Sequence, residues 1–162
     1  MVGVALLLVI VVLLVVAFAS LALGFTSELH DPAPTGRFDT AYTATGAGNT
    51  DDRPYLTITH EGGPTVDADD VVIKDESGNR ITWHDVWTGG PQVESGEYVH
   101  IDGFGSDSTL DPICEAGDTY RFVVLNDAGN QLTMYEWSAP SPPDLPAGSP
   151  SDDDGDGVPN WC

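Results

Sequence analysis

Residues 1–25 read MVGVALLLVIVVLLVVAFASLALGF and contain no charged side chain. The first charge along the chain is Glu28. As a helix, this stretch would span roughly 37 Å, which exceeds a hydrocarbon core of about 30 Å. A helix that is apolar on every face has to be buried, either in a membrane, in a bundle of its own copies, or in each in turn. The sequence therefore predicts a hydrophobic assembly or transmembrane helix over residues 1–27.

Small residues gather in the last turns of this stretch, where they would let helix backbones approach closely. No basic residue precedes the stretch, which argues against a secretory signal peptide and against a simple membrane anchor. We interpret the chain as a processed product whose charged leader has been removed. The residues predicted to form helix-to-helix assembly contacts are Val2, Gly3, Leu6, Val9, Leu13, Ala17, Ser20 and Gly24.

Residues 28–35 contain Pro32 and Pro34 and predict a hinge, because a helix does not continue easily through two prolines. Beyond the hinge the hydrophobic period changes to two, with turn residues at intervals of about ten, which is typical of an antiparallel Ig-like β-sandwich. We predict this head domain over residues 36–138, so that the whole chain would be lollipop-shaped. Strands are predicted at 38–45, 55–60, 71–75, 80–86, 97–101, 119–126 and 131–137.

The composition excludes some functions. Twenty-six acidic residues against five basic ones give a formal net charge of −21, so a nucleic-acid surface is not expected. A folded protein with this excess of acid and a single lysine is typical of a halophilic source, and an ordinary acidic secreted protein is the alternative. The sequence carries no nucleophile elbow or phosphate loop, and its four histidines have no metal-ligand spacing, so no enzyme is predicted.

Residues 139–162 form a Pro-rich linker followed by an acidic DDDGDG tail. The chain's two cysteines, Cys114 and Cys162, predict either one disulfide or two free thiols. The tail has the alternating aspartates of the first half of a calcium loop. The possible calcium ligands are Asp152, Asp154, Asp156, the Val158 carbonyl and Asn160.

This tail also resembles the aspartate-rich calcium repeats of thrombospondin type 3, which contain a Gly-Asp-Gly-Val-Pro run near a cysteine. Because the chain stops at Cys162, before the acidic twelfth position, a second segment, water or the terminal carboxylate would have to complete the shell. A solvated acidic tail is the alternative, and no other cofactor is expected.

The run VGVALLLVIVVLL at residues 2–14, the ALGF at 22–25 and the LTITHEGG at 56–63 together resemble haloarchaeal type IV pilins. The resemblance implies that a membrane peptidase removes a basic leader. The helix then assembles into a filament core with the help of the pilus assembly machinery. Ala5 stands where bacterial pilins have a glutamate, so the assembly contact of that glutamate is not expected here.

We therefore predict a structural subunit of an extracellular type IV pilus-like filament that serves surface adhesion. The subunit would be held in the membrane before assembly, and its main partner would be copies of itself. The alternative is a membrane-anchored extracellular binding module, in which the helix only tethers a β-domain that recognises a ligand.

Overall fold

The computed structural model describes residues 36–125 and 131–162. All of the described residues belong to one compact unit, Ala33–Cys162. Within these described ranges, no helix combines the length and the apolarity needed to cross a membrane.

The described part of the chain is built from short β-strands. One helix of four residues, α1 (Trp83–Val86), and two 3₁₀ turns, Thr50–Asp52 and Gly105–Asp107, lie between them. The strands are β1 (Arg37–Thr43), β2 (Tyr55–Gly62), β3 (Val66–Asp67), β4 (Val71–Lys74), β5 (Arg80–Thr82), β6 (Gln92–Val93), β7 (Tyr98–Ile101), β8 (Thr119–Leu125) and β9 (Gln131–Ser138).

The strands form three antiparallel sheets. The first has the order β1-β2-β7, the second pairs β3 with β6, and the third has the order β5-β4-β8-β9. In β2, Leu56, Ile58 and His60 are fully buried while the residues between them are half-exposed, which is the alternation of a strand with one face on a core. The opposite face of the three-stranded sheet is open to solvent.

One hydrophobic core joins the three sheets and α1. Apolar side chains from each sheet pack together, and Trp83 of α1 is completely buried among them. Examples from the strands are Leu56 and Ile58 of β2, Val66 of β3, Ile73 of β4, Val93 of β6, Ile101 of β7, and Phe122 and Val124 of β8. Because each sheet is short, this shared core is what makes the strands stable together.

The predicted fold class, a long apolar helix followed by an Ig-like sandwich, is wrong. The described residues form three sheets rather than the two of a sandwich, and α1 is the one α-helix among them. The predicted helix over residues 1–27 and the predicted hinge over 28–35 lie outside the described residues. The additional sheet, formed by β3 and β6, follows from a break in the chain after β2. Gly63 has a positive φ of 113°, and Pro64 has no N–H to donate to a neighbouring strand.

The predicted strand over residues 80–86 is also partly wrong, because it contains a strand and a helix. Thr82 ends β5 and caps α1: its Oγ1 accepts a hydrogen bond from the Asp85 N–H at 3.3 Å, and the Asp85 carboxylate accepts one from the Thr82 N–H at 2.7 Å. This reciprocal capping box stabilises a helical turn at that point. The turn directs Trp83 into the core instead of continuing the strand.

Candidate metal centre

The chain after β9 folds back on the β-domain. The Asp144 N–H donates to the Ala44 carbonyl at 3.0 Å, and the Ser151 hydroxyl donates to the Asp51 carbonyl. Within the segment, the Leu145 N–H donates to the Gly157 carbonyl at 2.9 Å. The acidic tail is therefore held against the loop between β1 and β2.

Trp161 and Cys162 attach the acidic tail to the β-domain. Cys162 forms a disulfide with Cys114, with an S–S distance of 2.05 Å and a Cα–Cα distance of 5.4 Å. Next to it, Trp161 packs edge-on against Phe104 with 4.8 Å between ring centroids, and the guanidinium of Arg53 lies 4.6 Å above the Phe104 ring. The tail therefore has an anchor on each side of its aspartates.

Three aspartates, Asp152, Asp154 and Asp156, meet in this tail. One carboxylate oxygen of each lies within 4.8 Å of the other two, and Asp152 is buried whereas the other two are exposed. We call this set the acidic triad. The acidic triad can hold a metal ion, because three carboxylate oxygens at this spacing offer a cation several ligands at once.

Asp152 organises the triad through backbone hydrogen bonds. Its Oδ1 accepts from the N–H groups of Gly155 at 2.8 Å and Asp156 at 3.2 Å, and its Oδ2 accepts from the Gly157 N–H at 2.9 Å. Gly155 and Gly157 have positive φ values of 77° and 86°, which lets the backbone turn its amides towards one carboxylate. The turn thereby brings the three side chains to the same side.

These bonds also control the charge of Asp152. Burial raises the pKa of the Asp152 carboxyl, but the N–H groups of Gly157 and Gly155, a side-chain hydrogen bond with Asp154 and the Asp156 N–H outweigh it and hold the pKa below its usual value. Asp152 is therefore ionised at neutral pH and available as a cation ligand.

The two further predicted ligands lie beyond the triad in the chain. The Val158 N–H donates to the Asp156 carboxylate at 2.8 Å. The Asn160 side-chain oxygen accepts from the Asp153 N–H at 3.1 Å, and the Asn160 N–H donates to the Ser151 carbonyl at 2.8 Å. In this structure the Asn160 amide therefore closes the loop of the tail.

The predicted assembly residues all lie outside the described residues. They are Val2, Gly3, Leu6, Val9, Leu13, Ala17, Ser20 and Gly24.

The described histidines have separate surroundings. His60 is completely buried beside Phe38, with 5.1 Å between ring centroids. His84 is exposed, and its Nδ1 lies 3.1 Å from an Asp69 carboxylate oxygen. His100 is exposed on the first sheet, and His30 lies outside the described ranges.

Sequence reasoning missed a group of acidic residues around Tyr120. The Tyr120 hydroxyl donates to the Asp111 carbonyl. Burial, followed by the charges of Asp107, Asp75, Asp118 and Asp111, raises the pKa of Tyr120 far above its usual value. A pocket of about 130 Å³ opens beside this tyrosine.

These aspartates mainly satisfy turn amides. Asp118 accepts from the Cys114 N–H at 2.7 Å and the Glu115 N–H at 2.8 Å. Asp107 accepts from the N–H groups of Asp102 and Gly103, at 2.7 and 2.9 Å. The sequence could have indicated this role, because aspartates near glycines and turn residues typically accept hydrogen bonds from the N–H groups of turns.

Two groups near this region have perturbed pKa values. Burial raises the pKa of Asp107, against the opposing effect of the Gly103 and Asp102 N–H groups, and the Asp102 charge raises it further. Burial and the Asp118 charge raise the pKa of Tyr42 to about 12. Both groups therefore favour their protonated forms more than the same residues in water.

Comparisons with known proteins show no match to this chain, either among protein-family models or among curated proteins.

Proposed function

We propose that this chain is a structural subunit of an extracellular, type IV pilus-like filament that adheres to surfaces. Residues 1–25 pack with the same segment of other copies in the filament core, and the acidic β-domain faces the medium. Before assembly the subunit resides in the membrane and is delivered to the filament by a pilus assembly machinery.

The observation that carries this proposal is the separation of apolar and charged residues. All 26 acidic and all five basic residues follow residue 27, and residues 1–25 carry no charge. Removing such a segment from water stabilises an assembly by about 1.5 to 3 kcal/mol for each large apolar side chain that is fully buried. A negatively charged domain on each subunit keeps the outside of the fibre hydrated and soluble.

The Cys114–Cys162 disulfide supports an extracellular setting for the β-domain. Disulfides form and persist mainly in oxidising environments outside the cytoplasm. The strongly acidic surface supports a halophilic archaeal source, in which dense salt screens repulsion between carboxylates.

The test is to delete residues 1–25 and to compare the variant with the full chain by negative-stain electron microscopy. We expect long fibres from the full chain and none from the deletion variant. Fibres formed by the deletion variant would contradict the proposal. A full chain that dissolves in mild detergent to monomers and never forms fibres would also contradict it, and would favour the membrane-anchored binding module.

For the acidic triad, we propose that the metal ion is calcium. Carboxylate oxygens are hard ligands, and Ca²⁺ accepts six to eight oxygens in flexible geometries, so backbone carbonyls and water can complete the shell. Mg²⁺ requires near-octahedral geometry and gives up its water reluctantly, so it fits this exposed loop less well.

Thermal unfolding with Ca²⁺ or Mg²⁺ tests this assignment in about 1 M NaCl, where non-specific attraction is screened within about 3 Å. Calcium at a hundredfold excess over its dissociation constant should stabilise the folded chain by about 2.7 kcal/mol. The double variant Asp154→Asn/Asp156→Asn should lose this effect, whereas Asp69→Asn, an exposed carboxylate elsewhere, should retain it. An equal response to Mg²⁺, or an unchanged response of the double variant, would refute the calcium site.

A further inference from the structure

Three aromatic side chains form a continuous row on the solvent face of the three-stranded sheet. His100 of β7 contacts Tyr55 of β2, with 4.7 Å between ring centroids, and Tyr98 of β7, with 5.3 Å. Tyr98 is 50% exposed, the largest value among the exposed large hydrophobic residues of the described ranges. We call Tyr55, His100 and Tyr98 the aromatic row. Exposed apolar groups that adjoin one another are typical of binding surfaces.

Polar groups lie beside the aromatic row at positions fixed by the strand register. Thr57 of β2 is opposite His100, and Thr59 is opposite Tyr98. On the other side of β2, Asp39 of β1 is opposite Thr59. Two hydroxyls and one carboxylate therefore lie on the same face as the rings, where they can exchange hydrogen bonds with a ligand that covers the row.

The Tyr55 ring and the backbone of the aromatic row are held in place before any ligand arrives. The Tyr55 hydroxyl donates a hydrogen bond to the Ala47 carbonyl at 3.2 Å, and the backbone of all three residues is paired between β2 and β7 or adjoins that pairing. Little side-chain entropy is lost when a rigid aromatic platform binds a partner.

The charge of the chain restricts what this face can bind. A net charge of −21 repels polyanions, so nucleic-acid bases are excluded even though they stack on aromatic platforms of this kind. Asp39 lies within the face itself and adds to the repulsion of anionic ligands. Anionic partners are therefore excluded. Among the partners that remain, a flat one rich in hydroxyl groups matches both the rings and the flanking hydroxyls of Thr57 and Thr59.

We propose that the aromatic row is a binding platform for a neutral polysaccharide. The C–H groups on one side of a sugar ring carry small positive partial charges and stack on the electron-rich faces of Tyr98, His100 and Tyr55. Thr57, Thr59 and Asp39 bond the sugar hydroxyls. This inference names the partner for the adhesive role in the proposed function, and it rests on that function for how the platform is displayed.

The test measures binding of the full chain to immobilised polysaccharides by biolayer interferometry, in a detergent without a sugar headgroup and in about 0.1 M salt, where charge repulsion still acts over about 10 Å. The neutral probes are hydroxyethyl cellulose, dextran and galactomannan, and carboxymethyl cellulose is the charged counterpart of the first. We expect binding to at least one neutral polymer and at least tenfold weaker binding for Tyr98→Ser and for His100→Ser. Tyr135→Ser is the matched control, because Tyr135 is 40% exposed but belongs to the four-stranded sheet.

Three binding results would overturn the platform. They are the absence of binding to all three neutral polymers, equal binding of Tyr98→Ser and the wild type, and binding to carboxymethyl cellulose as tight as to hydroxyethyl cellulose. Sedimentation that shows a dimer abolished by Tyr98→Ser would also overturn it, because a second copy would then occupy the face. Fibres without polysaccharide binding would reject only the platform, whereas binding without fibres would reject only the filament.

Discussion

Removal of the disulfide between Cys114 and Cys162 should destabilise the β-domain by an amount that follows from its loop length. The bridged residues are separated by 48 positions, and the chain-entropy model gives about 4 kcal/mol for a loop of this size at 25 °C. A typical domain has a total stability of about 5 to 15 kcal/mol, so the double variant Cys114→Ser/Cys162→Ser should lose a large share of it.

Urea unfolding of the full chain in detergent, followed by tryptophan fluorescence, measures this loss. The wild type treated with a reductant is the matched control, and its midpoint should coincide with that of the double variant. We also expect a larger dependence of the unfolding free energy on urea for both, because the unfolded chain without a crosslink exposes more surface. A loss below about 1 kcal/mol would refute the reasoning, since the tail would then gain nothing from its covalent link.

Three further changes test how individual buried groups act. Because the folded-state pKa of Asp107 is raised, the charge of its carboxylate opposes folding at neutral pH. Asp107→Asn should therefore raise the unfolding free energy at pH 7. This gain in stability should disappear as the pH falls towards 4, where the wild-type carboxyl is protonated. A gain that persists in acid would contradict this. His60→Leu should leave the free energy of unfolding in urea unchanged or raise it by about 1 kcal/mol, because both ring nitrogens of His60 are buried and have no hydrogen-bond partner among the described residues. A clear loss of stability would show that the ring has a partner. Because the pKa of Asp152 is lowered, its ionised carboxylate should stabilise the folded chain above about pH 4, and this stabilisation should be lost as the pH falls below that value. A change in Trp161 fluorescence should report the loss. Asp152→Asn should remove that transition.

The strands of the domain were largely predictable from the sequence, because their hydrophobic patterns are local. The alternation from Tyr55 to His60 and the apolar run from Val71 to Ile73 each coincide with an observed strand. The predicted strands at 71–75 and 80–86 are joined by a tight turn, across which β4 pairs with β5.

The division into sheets was not predictable in the same way. The strands β3 and β6 have two residues each, too few to show any period, and yet they pair as a separate sheet. The capping box of Thr82 and Asp85 interrupts an otherwise strand-like run. The pairing of β3 with β6 depends on which residues meet in space, whereas the capping box is a local polar signal, and hydrophobic spacing records neither of them.

The candidate metal centre was predictable as far as its local geometry. Alternate aspartates next to Gly155 and Gly157 predicted that Asp152, Asp154 and Asp156 lie together, because a glycine turn of this kind is a local structure. The role of Asn160 depends on how the loop closes on Asp153, and spacing alone could not show it. The contact between Trp161 and Phe104 joins distant parts of the chain and was not visible in the sequence either.

The acidic composition was interpreted from the sequence as a solvated surface, and the structure shows a second use for it. Asp118 and Asp152 each accept two or more backbone N–H groups in turns, where no neighbouring strand supplies a carbonyl. A chain built from short strands has many such turns, so part of its negative charge is required by the fold itself. Net charge alone is therefore an incomplete argument for adaptation to salt. The aromatic row differs from the rest of this surface, because rings and hydroxyls there stand among few carboxylates. On a surface dominated by carboxylates, such an exposed group of rings is the stronger indication of a binding site.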